Sequence, residues 1–301
     1  MRFLKKKNNQ LVSIIMNCQN GEKYLQKAIN SIFSQSYKNW ELIFWDNRST
    51  DNSKKILNSF TDKRIRYFKA KRTTRLYEAR NLAIKKARGE FVSFLDVDDW
   101  WLPEKLEKQI EVFNKDRSLE IVYSKCYWYY QKLKKKKINS IIDLPSGLIT
   151  QKLLNKYVMS ILTVLIKRQL FKQYRFNKTF DIIGDYDFFL RVSTKKKIAC
   201  VQEPLAYYRS HGSNLSKLKI GRFISELSNW INKNKRIEMF KEFSFNGIIV
   251  TLQCLKIQQL LVKSKRLNAF KEIFINPLSL KKIKFLVFVF LPKSIFFKFK
   301  V

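Results

Sequence analysis

From residue 11 to about residue 115, short apolar runs alternate with longer stretches whose apolar residues recur at helical spacing. Residues 11–16, 40–45, 65–68 and 91–95 are compact and rich in β-branched and aromatic side chains, so they read as buried strands. Between them, residues 22–35 put Tyr24, Leu25, Ala28, Ile29, Ile32 and Phe33 on one helical face. Thr50 or Asp51 offers a cap for a helix running to Phe60. Residues 76–87 present a small-residue face of Leu76, Ala79, Ala83 and Ala87, and Pro103 opens a helix over 104–114. Strands alternating with helices predict βαβ units and a mostly parallel sheet, the α/β class.

Beyond residue 115 the pattern loosens. Residues 121–130 read as a strand dense in Tyr and Trp, 132–139 as a basic loop, and 159–166 as another apolar strand. Asp185 opens a helix whose Phe188, Phe189 and Val192 face inward, and 198–208 is strand-like. From residue 216 onward the chain is helix-like and basic, with 248–262 amphipathic.

Charge changes the picture more than composition does. The 301 residues are 46% hydrophobic, ample for a core, but 61 basic residues face 24 acidic ones, a net charge of +37. Such a field favours polyanions: nucleic acid, anionic lipid or phosphorylated substrates. Runs such as Lys134–137 and Lys195–197 read first as solvated faces. Residues 281–301 hold six lysines and no acids around the apolar run 285–291, a combination suited to the interface of an anionic membrane, or else to a terminal helix docked on the core. No apolar run reaches the roughly 18 residues needed to span a bilayer. The basic residues 1–7 precede too short an apolar run for a signal peptide. Cys18, Cys126, Cys200 and Cys254 are far apart and contain no Cys-x-x-Cys pair, which argues against a zinc site or a disulfide scaffold and fits a reducing cytosol.

The chemistry concentrates at strand ends. The run 91–95 stops in three carboxylates, Asp96, Asp98 and Asp99. In open α/β sheets ligands sit beyond the carboxyl ends of strands. Carboxylates so crowded repel one another unless a cation or proton compensates. Oxygen donors of this kind suit Mg²⁺ or Mn²⁺ shared with a substrate diphosphate. The competing reading is that Asp98 or Asp99 caps the following helix. Asn17, Asp46 and Asn47 end two other strands and fit a nucleotide pocket, or for the latter pair a simple turn. Neither Gly-x-Gly-x-x-Gly nor a P-loop is present. Asp185, after Gly184, suits a helix cap or a positioned base. His211, the only histidine, lies in a polar stretch where it can ligate a metal or meet a phosphate.

The order of motifs resembles the inverting family-two glycosyltransferases of the GT-A fold, of the bacterial surface-polysaccharide type. The resemblance runs from Val12-Ser13-Ile14-Ile15 and Asn20-Gly21-Glu22-Lys23-Tyr24-Leu25 through the stretch from Ser34 to Ile43 and Asp46-Asn47-Arg48-Ser49-Thr50-Asp51. It continues with Ala79-Arg80-Asn81, Gly89-Glu90, Phe94-Leu95-Asp96-Val97-Asp98-Asp99 and Pro103-Glu104-Lys105-Leu106. Gly184-Asp185-Tyr186-Asp187 and Tyr208-Arg209-Ser210-His211 complete it, over roughly residues 10–215.

This resemblance implies a Rossmann-like, mostly parallel sheet flanked by helices over residues 1–215, with a nucleotide half at 10–115 and an acceptor half at 116–215. Residues 216–301 would be a helical, basic extension. It implies Asp185 as catalytic base, Asp98 and His211 on a divalent metal (Mn²⁺ or Mg²⁺), and Asn17, Asp46, Asn47, Arg80 and Asp96 about the nucleotide. Asn47 and Gln19 depart from the Asp and Tyr usual in the family. Donor and acceptor would be a nucleotide-sugar, with UDP expected, and a glycan or lipid-linked glycan. The place would be the cytoplasmic face of the inner membrane, held peripherally by the C-terminal segment, with no specific nucleic acid as partner. The rival readings are a basic nucleic-acid-binding protein, a phosphotransferase using Asp96 as nucleophile, and an inactive scaffold.

Overall fold

A computed structural model describes residues 10–290. Its strands are β1 (Val12–Cys18), β2 (Trp40–Asp46), β3 (Ile65–Lys69), β4 (Phe91–Phe94), β5 (Trp100–Trp101), β6 (Ile121–Tyr130), β7 (Lys135–Ile138), β8 (Leu165–Lys167) and β9 (Ile198–Ser210). They form one nine-stranded sheet in the order β3-β2-β1-β4-β8-β6-β9-β5, with β7 paired to β6. β3, β2, β1 and β4 are parallel, β6 and β9 run the same way, and β5, β7 and β8 oppose them. Most strands therefore run the same way, and the middle of the sheet is the antiparallel β4–β8 pair.

Alternation along β1 divides the core. Val12, Ile14, Met16 and Cys18 point to one face and pack with the helices Glu22–Phe33 and Lys105–Lys115. Ile15 points to the other, with Val92 and Phe94 of β4, Ala79 and Ala83 of the helix Leu76–Ile84, and Phe188 and Phe189 of the helix Gly184–Ser193. That second core does not stop at residue 215. Leu227, Trp230 and Ile231 of the helix Ile220–Asn234 belong to it, as do Ile248 and Leu252 of Asn246–Val262. A small third cluster of Ile257, Leu261, Ala269, Ile273 and Val289 holds the last helices together.

Three segments differ from expectation. Residues 132–139 are no loop: a 3₁₀ turn at Gln131–Leu133 leads into β7, whose Lys137 pairs with Trp128 and Lys135 with Tyr130. Lysines are depleted in central strands but suit an exposed edge strand, where charge guards against further pairing. Residues 159–166 hold a 3₁₀ turn, Ile161–Thr163, before the short β8. Their apolar character reflects burial, with Trp101 Nε1 donating to the Leu162 carbonyl at 2.9 Å. The helix over 248–262 buries residues toward both the second core and the terminal cluster, so it lacks one clean apolar stripe. Residues 1–7 and the last part of the 281–301 segment lie outside the described residues. Among the described residues no helix is long and apolar enough to cross a membrane, and all four cysteines are free.

Candidate active site

The carboxyl ends of β1 and β4 open onto a cavity of about 650 Å³, lined by Asn17, Arg80, Asp96, Asp98, Tyr157 and Asp185 among others. Most residues singled out in the sequence therefore meet in one place, though they come from segments as far apart as 17 and 185.

Asp96 follows β4 directly. Arg80 lies on the helix Leu76–Ile84, is 2% exposed, and donates from Nη2 to both oxygens of Asp96 at 2.7 and 2.9 Å. Burial pulls the guanidinium pKa down, but the adjacent Asp96 charge more than offsets it and holds the group raised. With both oxygens engaged, Asp96 is poorly placed to act as a nucleophile.

Asp98 and His211 are brought together by strand pairing. The turn from Asp96 to Asp99 feeds β5, which pairs antiparallel with β9 (Trp100 with Tyr207). The end of β9 thus lies beside the turn, and His211 Nε2 is 2.8 Å from Asp98 Oδ2. His211 Nδ1 is 2.8 Å from Ser213 Oγ, and Asn214 Oδ1 accepts from the His211 backbone N–H at 2.6 Å. Arg209 locks the turn: its N–H donates to Asp99 Oδ1 at 2.7 Å, and its Nε to the Asp98 carbonyl at 2.6 Å. Neither Asp98 nor Asp99 caps the helix Lys105–Lys115.

Asp185 lies in the first turn of the helix Gly184–Ser193. Both hydrogen bonds to its side chain fall on Oδ1, from the Tyr77 hydroxyl at 3.1 Å and the Tyr186 N–H at 2.8 Å. Burial pushes its pKa up, partly opposed by Arg80 and by these two donors. Asp185 is not the cap. The helix has Ile183 as its N-cap and no side-chain cap; Glu226, from the helix Ile220–Asn234, ties down the segment leading into it, accepting the N–H groups of Asp181, Ile182 and Ile183 at 2.8, 3.0 and 3.3 Å. Gly184 is required by the contact beneath: a Cβ there would stand 2.4 Å from the Tyr77 ring.

Asp46 and Asn47 end β2 but do not line the cavity. Asp46 accepts from the Tyr67 hydroxyl at 2.7 Å and from the Ser49 N–H at 2.7 Å. Asn47 is tied to Thr74, donating to its carbonyl at 2.8 Å and accepting from its N–H at 3.0 Å.

Two buried polar atoms in the cavity wall, Asn17 Nδ2 and the Tyr157 hydroxyl, have no hydrogen-bond partner among the described residues. Such atoms are costly unless something else satisfies them, so they mark where a polar ligand belongs. Among the described residues, no group of three or more His, Cys, Asp or Glu is placed to hold a metal ion. Asp98 with His211 offers two donors, one carboxylate and one imidazole. That set fits a Mg²⁺ or Mn²⁺ completed by substrate phosphates and water, not a closed structural site. Sequence reasoning missed Tyr77, Tyr157 and Glu226. The motif Tyr208-Arg209-Ser210-His211 contained Arg209 without indicating its task.

The model of glycosyl transferase family 2 matches residues 13–196. The chain belongs to this family. It is a glycosyltransferase. A relative from Escherichia coli, UDP-Glc:alpha-D-GlcNAc-diphosphoundecaprenol beta-1,3-glucosyltransferase WfgD, is 33% identical over 189 residues, 63% of this chain and 71% of the relative. Among solved structures, TarS of S. aureus in complex with UDP aligns with a TM-score of 0.56 and 17% identity over 84% of this chain and 81% of that one. The mannosyltransferase PcManGT from Pyrobaculum calidifontis, in complex with GDP-Man and Mn²⁺, aligns with a TM-score of 0.60 and 14% identity over 92% of this chain and 78% of that one. The fold of this family-two glycosyltransferase is thus GT-A, with a helical C-terminal region.

Proposed function

We propose that this glycosyltransferase moves a sugar from UDP-sugar to a hydroxyl of a glycan or lipid-linked glycan, inverting the anomeric centre, in assembly of a surface glycan such as lipopolysaccharide or capsule. The observation that carries the reading is the shared cavity of Asp185 and the Asp96/Asp98 pair, with His211 on Asp98. The UDP named with WfgD and TarS, and the undecaprenol diphosphate of the WfgD acceptor, support the choice of donor and acceptor class.

Asp185 is the proposed base. One Asp185 oxygen is fixed by Tyr77 and Tyr186, leaving the other to take the proton of the acceptor hydroxyl as the acceptor oxygen attacks C1 from the face opposite the diphosphate, whose bond to C1 breaks. A raised pKa brings such a base closer to working pH. Asp98 and His211 would hold Mn²⁺ or Mg²⁺, which supplies positive charge against the leaving diphosphate. Arg80 fixes Asp96 toward the ribose, and Asn17 offers its free amide to the nucleotide. Asp46 and Asn47 shape the base side of the pocket through the turn they brace. Residues 10–115 serve the nucleotide and 116–215 the acceptor. Residues 216–301 serve as the C-terminal extension, whose basic end holds the enzyme peripherally on the cytoplasmic face of the inner membrane.

The test is thermal stabilisation by a panel of nucleoside diphosphates, with and without Mn²⁺. The expected result is a metal-dependent rise in Tm that is largest for UDP, since a ligand at a hundred times its Kd stabilises by about 2.7 kcal/mol. A larger rise with GDP would overturn the choice of nucleotide. No rise with any nucleotide, beside a rise with duplex DNA, would overturn the donor site.

A further inference from the structure

The cavity wall continues into a surface that the transfer reaction does not use. Trp128 and Tyr208 are register partners across β6 and β9, and both line the cavity, as does Asn139 just past β7. On the other side of Trp128 its partner is Lys137 of β7. The β6–β7 hairpin is thus built directly on the wall of the site.

Its outward character is unusual. Lys132 and Lys134 to Lys137 are all exposed. Among the described residues, Lys136 alone of these has a side-chain partner, the Tyr207 hydroxyl at 3.2 Å with the Tyr127 ring beneath it. Asp143 is the one acid between residues 121 and 180, and it is engaged by Lys125 at 3.3 Å. Exposed apolar side chains lie in the hairpin and in the bend that follows it: Leu133 between lysines is 47% exposed, Trp128 opposite Lys137 44%, and Ile141 and Ile142 88% and 67%. A merely solvated basic loop has no reason to carry aliphatic residues at its tips. Trp128 offers a stacking face, but adjacent exposed isoleucines give nucleic acid neither a stacking ring nor a donor. Lysines flanking exposed aliphatics match an anionic bilayer: the ammonium groups meet headgroup phosphates, and the aliphatic groups enter the boundary below them.

We propose that the β6–β7 hairpin and the bend through Ile141 and Ile142 form a membrane-docking surface for anionic lipid, separate from the C-terminal segment. Docked there, the cavity opens beside the bilayer surface. The proposal stands on exposure and charge and does not depend on which nucleotide the site takes.

The experiment uses the full chain and sedimentation with phosphatidylcholine vesicles, with and without phosphatidylglycerol. Two variants are compared with the native protein: Lys134→Glu/Lys135→Glu/Lys137→Glu, and Ile141→Ser/Ile142→Ser. All five side chains are exposed, and a cooperative thermal unfolding transition like that of the native protein reports that each variant is folded. The triple variant is expected to lose about a hundredfold in partitioning onto anionic vesicles. The isoleucine variant is expected to lose about tenfold, with a salt dependence like that of the native protein. If the triple variant sediments with anionic vesicles as the native protein does, the hairpin is not the docking surface. If it loses duplex DNA binding while keeping vesicle binding, the surface serves nucleic acid and the proposal falls.

Discussion

Asp185 illustrates how little of a catalytic group resides in its own residue. Its carboxylate is buried, which favours the protonated form, while Tyr77 and the Tyr186 N–H both donate to one oxygen and favour the ionised form. A base works only when ionised, so turnover should rise with pH through this raised pKa. Replacing Tyr77 by Phe removes one donor to the anion, raises the pKa further and should move the acid limb of the kcat profile to higher pH. Asp185→Asn should abolish transfer, by a factor of at least about a thousand, while UDP still stabilises the protein. An unmoved acid limb in Tyr77→Phe, or near-normal turnover in Asp185→Asn, would remove Asp185 from the base role. At this scale, Asp96, Asp98, Asp185 and His211 were legible because they sit in short, recognisable runs. Tyr77 and Glu226 were not, because their meaning lies in contacts across the chain: Tyr77 reaches Ile182 over 105 positions, and Glu226 reaches Asp181 over 45.

Among the elements, the helix Lys105–Lys115 shows how a charged residue becomes part of a core. Lys105 lies fully buried against the Trp101 ring, with Nζ donating to Gln109 Oε1 at 2.8 Å and to Ser93 Oγ at 3.0 Å. Among the described residues no carboxylate pairs with it, and burial drives its pKa well down. In the unfolded chain a lysine titrates near about 10.4. Above that pH both states are neutral and the depressed pKa costs nothing. As pH falls below it, the unfolded state gains a proton that the folded state resists, so this group erodes stability down to its folded pKa. Lys105→Met removes that dependence. Denaturant unfolding should show the variant losing about 1–3 kcal/mol at pH 10 through abandoned hydrogen bonds, and closing part or all of that gap toward pH 7. A gap independent of pH would mean that Lys105 stays charged in the fold. The helix was legible from its spacing and from Pro103. The β6–β7 hairpin was not, because four lysines in a row carry no strand signal, and edge pairing to an aromatic strand decides it instead.

For the whole molecule, charge and exposed apolar surface are distributed together. The net charge of +37 is spread widely, but bare apolar side chains concentrate in two places. One is the hairpin. The other is the last described stretch, where Leu267, Phe274, Leu278, Leu280, Val287 and Phe290 are exposed among Lys271, Lys281 and Lys284. The co-occurrence of lysines and bulky apolars near the end was readable in the sequence. The sharing of the main core by residues 220–252 was not, since nothing local announces which helix face meets which sheet face. If the hairpin and the C-terminal segment both contact lipid, the second contact is intramolecular, so together they hold more tightly than either alone, provided both reach the bilayer at once. The full chain, the chain ending at residue 280, the lysine-to-glutamate hairpin variant and the combination should therefore be compared on anionic vesicles. Truncation alone should release a measurable fraction of the protein. The combination should leave binding near that of neutral vesicles. Equal sedimentation of truncated and full-length protein would show that the tail is no anchor. A combined loss no larger than that of the hairpin variant alone would show that the hairpin carries the whole contact.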